Sequence, residues 1–226
     1  MCPHTTINKT NLLTIKKNID KYSPYPKKVS IIAVTKKRPH AAIISAFKNK
    51  IMIVGESQVQ ETIQKTQNKT KNNNQEIHLI GHLQSNKINK AICLYDVIQT
   101  IDTIKLCKKV NEAAKRKNKK QKVFFQTNIS NAKTQKGFAE EALCDAAEQA
   151  TQLSHITLIG LMAIGSHTKQ RNKIEKEFKK LKQQQQYIHK NINKDTRFLS
   201  IGMSGDYVLA LQQGATHIRI GTLLYT

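Results

Sequence analysis

The sequence predicts an α/β protein, a single (β/α)8 TIM-type barrel, on three observations. Short apolar runs rich in β-branched residues alternate with longer amphipathic stretches along the 226 residues. Each run has the length of a buried parallel strand, and there are eight of them, the number that a barrel needs. A doubly wound open sheet gives the same alternation, but no G-x-G-x-x-G motif follows the first run. The barrel is therefore the favoured fold.

The predicted strands are Val29–Val34, Ile51–Val54, Ile77–Ile80, Val97–Thr100, Val123–Asn128, Ile156–Leu161, Arg197–Ser200 and His217–Ile220. Five helices are predicted between these strands: Ala41–Phe47, an apolar stripe that starts at Ile104, Phe138–Leu153, an apolar stripe through Ile174, Phe178 and Leu181, and Tyr207–Gln213. Pro39 precedes the first, Asp102 or Thr103 is the expected N-cap of the second, and Gly214 follows the last. These assignments rest on apolar period, N-cap residues and the C-cap preference for glycine. An amino-terminal helix, at about Thr5–Lys21, is expected to pack on the barrel and cover the seam beside the last strand.

Composition limits the class of protein. The formal net charge is +23, which suggests a nucleic-acid or anionic-membrane partner, but lysine and asparagine are abundant everywhere and no aromatic-interleaved basic motif occurs. We therefore expect neither partner. Four dispersed cysteines, no apolar signal segment and no run long enough to cross a membrane predict a cytoplasmic protein. We expect one domain over residues 1–226, acting as a monomer.

Three polar stretches each follow a helix and precede a strand: Lys65–Gln75, Lys115–Lys122 and His189–Lys194. In a barrel such connections lie on the bottom face, opposite the βα loops that build active sites. We therefore interpret Lys115–Lys122 as a solvated bottom loop. We expect the basic stretch and the residues that carry the chemistry to lie at opposite ends of the barrel.

Lys36 is the first candidate for chemistry. It lies two residues past the last apolar residue of the first strand, where a lysine points into the mouth of a barrel. A partly desolvated amine there loses its proton more easily and can attack an aldehyde. Lys37 and Arg38 follow directly, so a solvated basic rim is an equal alternative on position alone.

Glycine-containing turns follow the seventh and eighth strands, with the sequences GMSGD and RIGT. Ser204 and Thr222 offer hydroxyl donors, and Gly221 lets backbone N–H groups approach an anion; Ser204 also suits the N-cap of the Tyr207 helix. Many barrels hold a phosphate at this place. Each glycine alone could merely permit a tight turn, but two converging turns favour a phosphate site. An amine beside a phosphate site fits pyridoxal phosphate.

Two further features leave alternatives open. Arg219, just before Gly221, could face a pyridine nitrogen and keep it unprotonated, or could bind a phosphate or form a surface ion pair. His78 and His82 are four residues apart, which suggests a metal pair on a helix, but here they bracket a strand-to-loop junction. We expect no metal site.

These motifs together resemble the pyridoxal phosphate homeostasis proteins (the YggS/PROSC family). The matching segments, in order along the chain, are AVTKKRP from Ala33, GESQVQE from Gly55, HLIGHLQSNK from His78, QTNIS from Gln126, GLMAI from Gly160, LSIGMSGD from Leu199 and RIGT from Arg219. The resemblance implies the fold of the alanine racemase N-terminal domain. It also implies a Schiff base between pyridoxal phosphate and Lys36, phosphate contacts from Ser204, Gly221 and Thr222, and Arg219 near the pyridine nitrogen.

The resemblance implies a role in intracellular pyridoxal phosphate homeostasis, with no catalytic residues and with pyridoxal-phosphate-dependent apo-enzymes as partners. An amino-acid racemase-like enzyme is the alternative. Three positions depart from the family pattern: Ser57 replaces an asparagine, Gly165 replaces a proline, and the lysine expected after the fifth strand is displaced to Lys136. The roles of Ser57 and Lys136 are open.

Overall fold

A computed structural model of the chain describes residues 5–66, 74–130, 132 and 135–226. In these residues eight parallel strands close into a barrel in chain order, with the last strand paired to the first. The predicted barrel is confirmed, and the open sheet is wrong because no strand is left as an edge. The strands are β1 (Ser30–Val34), β2 (Ile53–Glu56), β3 (Glu76–Leu79), β4 (Val97–Ile101), β5 (Gln121–Gln126), β6 (Ile156–Met162), β7 (Phe198–Ser200) and β8 (His217–Ile220).

Helices form the outer layer of the barrel. They are α1 (Lys9–Tyr22), α2 (His40–Lys48), α3 (Val59–Thr66), α4 (Ile88–Leu94), α5 (Ile104–Arg116), α6 (Leu143–Thr151), α7 (Arg171–Asn191), α8 (Tyr207–Gln212) and α9 (Thr222–Tyr225). The Thr103 side chain accepts from the Leu106 N–H, so Thr103 and not Asp102 is the N-cap of α5. Gly214 has a φ of +80°, the left-handed conformation expected just past the end of α8.

The expected helix Phe138–Leu153 is shorter than its composition predicts, because its first residues pair with a strand. The Phe138 N–H donates to the Gln126 carbonyl at 2.7 Å, and the Phe138 carbonyl accepts from the Asn128 N–H at 3.0 Å. The Phe138 ring packs on that of Phe125, with centroids 4.6 Å apart. This tertiary pairing keeps the segment extended, and α6 begins only at Leu143.

Side chains alternate between the two faces of each strand. One set packs outward on the helices and forms the main core, as Ala33, Val54 and Ile98 do. The other set points into the barrel, where Val97, Phe124 and Met162 form a separate apolar cluster. The Phe124 ring also forms a T-shaped pair with the His217 ring, with centroids 5.6 Å apart. The barrel interior is therefore filled with side chains, and a ligand can approach only at the ends.

The amino-terminal helix starts later than expected, at Lys9, because the side chain of Asn8 caps it by accepting from the Asn11 N–H. The helix buries Leu12, Ile15 and Ile19. The Asn8 N–H donates to the Leu224 carbonyl at 2.8 Å, so α1 is fastened to the short helix α9 that follows β8.

The basic stretch Lys115–Lys122 does lie at the bottom, between α5 and β5, but it is not simply solvated. The Lys119 ammonium donates to the carbonyls of Ile92 and Tyr95, at 2.7 Å each, and so binds the C-terminal end of α4. Part of the polar stretch Lys65–Gln75 lies outside the described residues. No described helix has both the length and the apolar character needed to cross a bilayer.

Candidate functional site

Lys36 lies at the end of the barrel formed by the carboxyl ends of the strands, called the top here. Alternation along β1 puts Ile32 and Val34 on the inner face, and Lys36 follows at the next position of the same parity. Its side chain is exposed, so the partial desolvation expected from the sequence is not provided by the protein alone. Its amine makes no hydrogen bond or ion pair with the described residues and is available to a ligand.

The turn after β8 lies directly beside the Lys36 segment. Ala33 of β1 is in register with Ile220 of β8, and a Cβ built on Gly221 would lie 3.3 Å from the Val34 Cβ. Thr222 begins α9 at the same end. The structure therefore brings Gly221 and Thr222 next to the residues that lead to Lys36, as the sequence predicted.

The turn after β7 carries Ser204, but this residue is not the N-cap of α8. Asp206 holds that position, and its carboxylate turns back to accept from the Met203 N–H at 2.6 Å. The expected capping role of Ser204 is therefore wrong, and no described residue bonds its hydroxyl. The turn requires Gly202, whose φ is +90° and whose added Cβ would come within 2.6 Å of the Ala210 Cβ.

Arg219 points into the upper barrel, not to the surface. It is 5% exposed, and it donates to the Ser200 carbonyl at 2.7 Å, the Ser200 hydroxyl at 2.9 Å and the Ala163 carbonyl at 2.8 Å. This burial excludes the surface ion-pair alternative, and the carboxylate that acts on Arg219 electrostatically is that of Asp206. Burial lowers its pKa to about 10, so the group stays charged at neutral pH.

A chain of hydrogen bonds continues from Arg219 through the barrel interior. Ser200 Oγ donates to Gln99 Oε1 at 2.7 Å, and Gln99 Nε2 contacts His78 Nδ1 at 2.8 Å. An amide nitrogen only donates, so His78 Nδ1 accepts and its proton sits on Nε2. Nε2 then donates to Glu76 Oε2 at 2.8 Å, and this bond lowers the pKa of Glu76 to about 2. In every bond of this network the donor is on the Arg219 side and the acceptor on the Glu76 side. The network therefore fixes the orientation of the Gln99 amide and of the His78 ring.

The two histidines of the considered metal pair lie in different places. His78 is buried in the barrel, whereas His82 is in an exposed loop of the top face, where its Nε2 lies 2.9 Å from the Lys136 ammonium. Asp102 Oδ2 is 3.6 Å from the other nitrogen of His82. No group of three potential ligands able to hold a metal is present in the described ranges. Lys136 is thus at the mouth of the barrel, although displaced in sequence.

Sequence reasoning missed the residues that support the site. Gln99 and Ser200 lie at inward positions of strands that were predicted from their apolar residues. A polar residue at such a buried position indicates a hydrogen-bond network, and this could have been recognised in the sequence. Lys65 was assigned to a polar stretch, yet it is buried and bonded to Glu56. Nothing in its local sequence distinguishes it from a lysine on the protein surface.

Comparison with known proteins places this geometry in a family. The alanine racemase N-terminal domain matches residues 10–226. The pyridoxal phosphate homeostasis protein of Haemophilus influenzae is 35% identical over 201 residues, 87% of this chain and 84% of that protein. The homologue of the same name from Pasteurella multocida is 34% identical over 223 residues, 95% of each chain.

Solved structures agree with this assignment. PipY of Synechococcus elongatus, solved with PLP (pyridoxal phosphate) bound, has a TM-score of 0.85 at 29% identity, covering 96% of this chain and 99% of PipY. Alanine racemase of Clostridium difficile has a TM-score of 0.73 at 18% identity and shares the fold, with this chain spanning 59% of its length. The resemblance found in the motifs is thus confirmed, and the chain belongs to the family of the pyridoxal phosphate homeostasis proteins.

Proposed function

We propose that this chain binds PLP covalently through Lys36 and acts in intracellular PLP homeostasis. The relatives named above carry that function in their names, and PipY has been solved with PLP bound. The observation that carries the proposal is the pairing of two groups at the top of the barrel: the exposed amine of Lys36, and the guanidinium of Arg219, which its bonds to Ser200 and Ala163 hold in place.

The residues present fit PLP. The amine of Lys36, exposed beside the turn after β8, would bind the aldehyde of PLP with loss of water. Ser204 and Thr222 hydroxyls, with the small Gly221 between β8 and α9, suit a phosphate at converging turns. The fixed positive charge of Arg219 would disfavour protonation of the pyridine nitrogen of bound PLP and would so weaken the ring as an electron sink. This set of residues suits storage of the cofactor better than turnover.

A racemase-like enzyme is the second candidate, since this fold also occurs in alanine racemase. Racemisation needs a second base opposite the lysine. Tyr225, in the short helix after β8, is buried, and its hydroxyl donates to the Ala42 carbonyl at 3.0 Å. The Tyr207 hydroxyl is bonded to Asn18 of α1 at 2.6 Å. Neither is available at the mouth, which supports a non-catalytic role.

Spectroscopic titration with PLP tests the proposal. The wild-type chain should develop the absorbance of a protein-bound imine of PLP, and Lys36→Ala should abolish that band. Lys37→Ala is the matched control, since it removes the neighbouring amine, and it should keep the band. An unchanged band in Lys36→Ala would refute the role of Lys36. Alanine racemisation at ordinary enzyme rates would instead favour the enzyme.

In this proposal the chain is a cytoplasmic monomer that supplies PLP to apo-enzymes. Mixing the PLP-loaded chain with a PLP-dependent apo-enzyme should restore that enzyme's activity, while free PLP is removed by a scavenger. Size-exclusion chromatography with light scattering should give the mass of one chain. A dimer would contradict the monomer, and no reactivation would contradict direct transfer.

A further inference from the structure

A buried ionic cluster lies between the carboxyl ends of β1 and β2 and the helix α3. It consists of Glu56, Glu61 and Lys65. The Glu56 side chain is fully buried, and the Lys65 ammonium lies 2.9 Å from Glu56 Oε1, 3.1 Å from Glu56 Oε2 and 2.6 Å from Glu61 Oε1. The cluster lies in the outer layer of the barrel. It has no place in the binding site described above.

Stability alone does not explain this cluster. Removing charges from water is costly, and a buried ion pair is weak evidence for a gain in stability. Burial indeed raises the pKa of Glu56, against the hydrogen bonds from Thr35 and Lys65 that lower it. A network of this kind is better explained by what its remaining hydrogen bonds hold in place.

All three charged groups bond to the residues that flank Lys36. The Thr35 hydroxyl donates to Glu56 Oε1 at 2.6 Å, and the Lys65 ammonium donates to the Thr35 carbonyl at 2.7 Å. On the other side the Lys37 backbone N–H donates to Glu61 Oε1 at 2.5 Å. Lys36 itself takes no part. The cluster therefore fixes the main chain before and after Lys36 and leaves its amine untouched.

The segment it holds has a strained conformation. The Arg38 N–H donates to the Thr35 carbonyl at 3.1 Å, so Lys36 and Lys37 are the central residues of a β-turn. Lys37 has a φ of +58°, at a position where turns with positive φ favour glycine. Lys50 and Asn118 also have positive φ among the described residues, but both closely follow helix ends, where it is common. Lys37 has no helix before it.

We propose that Glu61, supported by Lys65 and Glu56, is a positioning residue that keeps the Lys36 turn in the conformation needed to bind PLP. Glu61 binds the N–H of the strained residue, and Lys65 holds Glu61 and the start of the turn together. Without Glu61, Lys37 relaxes toward negative φ, which rotates the main chain next to Lys36. The inference rests on the proposed function, because the position of the turn matters only if Lys36 binds PLP.

Glu61→Ala tests this inference, with PLP loading at Lys36 as the readout. Loading is the fraction of chain that borohydride fixes as pyridoxyl-Lys36 at a given PLP concentration. Loss of a charge-assisted hydrogen bond should weaken the apparent PLP affinity about tenfold. Glu61→Gln keeps an acceptor for the Lys37 N–H and should lose clearly less. The Glu61 side chain is 21% exposed on α3, and alanine favours helix, so the variant should fold.

A second substitution separates positioning from a general loss of stability. Lys37→Gly allows positive φ without strain, so adding it to Glu61→Ala should recover most of the lost affinity. Lys50→Gly is the matched control, since Lys50 has a φ of +61° far from the turn; adding it should recover nothing. Urea unfolding of each variant gives its stability independently.

Three results would overturn the inference. These are wild-type affinity in Glu61→Ala, a loss in Glu61→Gln as large as in Glu61→Ala, and equal recovery with Lys37→Gly and Lys50→Gly. Failure of the wild-type chain to load PLP would overturn the proposed function itself. That outcome is distinguishable, because it appears before any variant is compared.

Discussion

Replacing Ser200 by alanine tests whether the hydrogen-bond chain in the barrel interior holds Arg219 in place. Ser200 is fully buried. Its hydroxyl accepts from Arg219 Nη1 at 2.9 Å and donates to Gln99 Oε1 at 2.7 Å. The substitution removes both bonds and leaves Gln99 Oε1 buried without its donor. Arg219 keeps its bonds to the Ser200 and Ala163 carbonyls, so the loss is partial on that side.

The expected magnitude follows from these contacts. An unsatisfied buried acceptor costs about 1–3 kcal/mol, and a hydrogen bond to a charged group contributes about 1.5–3 kcal/mol. Since Arg219 Nη1 keeps a second acceptor, we expect a total loss of about 2–4 kcal/mol in the free energy of unfolding. That is a large part of the ~5–15 kcal/mol typical of a domain.

Urea unfolding of the ligand-free protein, followed by circular dichroism, measures this loss. Ser85→Ala is the matched control, because Ser85 is exposed and its loss should change the free energy of unfolding by less than about 0.5 kcal/mol. Adding Gln99→Leu to Ser200→Ala removes the orphaned acceptor, so the double variant should lose less than the sum of the single losses. A loss of less than about 0.5 kcal/mol in the free energy of unfolding of Ser200→Ala would refute the role of this hydrogen-bond network. Strict additivity of the two single losses in the double variant would refute it as well.

Three other predictions concern the barrel. Burial lowers the pKa of His217 from 6.5 to about 3. Between these pH values only the unfolded chain binds the proton, so the free energy of unfolding falls as the pH drops from 6.5 to 3. His217→Gln should make this pH dependence less steep in urea titrations, and an unchanged pH dependence would contradict the prediction. Gly202→Ala should destabilise by about 2 kcal/mol or more, because its Cβ would lie 2.6 Å from the Ala210 Cβ at a φ of +90°; a neutral effect on the melting temperature would count against the turn geometry. Deleting residues 1–21 should abolish soluble expression, since α1 buries Leu12, Ile15 and Ile19, while deleting residues 1–4 should not; a stable long truncation would defeat the role of α1.

The sequence predicted the barrel because apolar periodicity is a local signal that repeats eight times. It placed Lys36, Gly221 and Thr222 at one end for a related reason: parallel strands all end on the same face. The sequence did not decide whether the Arg219 side chain points into the barrel or to the surface. Alternation along a strand assigns a side chain to one face of the sheet but does not identify its hydrogen-bond partners. The structure decides this through its bonds to Ser200 and Ala163.

Two of the remaining errors have one physical cause, namely contacts with residues on another structural element, and the third has a local cause. Phe138 has helix formers after it but pairs with the end of β5, and that pairing overrides propensity. Lys65 looks like a surface lysine because its partner Glu56 lies on another element. The capping role of Ser204 was wrong because Asp206, two residues later, holds that position.

Borohydride reduction of the chain with PLP, followed by peptide mass mapping, shows which lysine binds the cofactor. Reduction fixes PLP on whichever lysine holds it, and the chain has several lysines near the mouth with which Lys36 can be compared. Lys37 is its neighbour in the turn, and Lys136 lies in another top loop. We expect a pyridoxyl group on the peptide that contains Lys36, at Lys36 itself. Labelling confined to Lys37, Lys87 or Lys136 would contradict it.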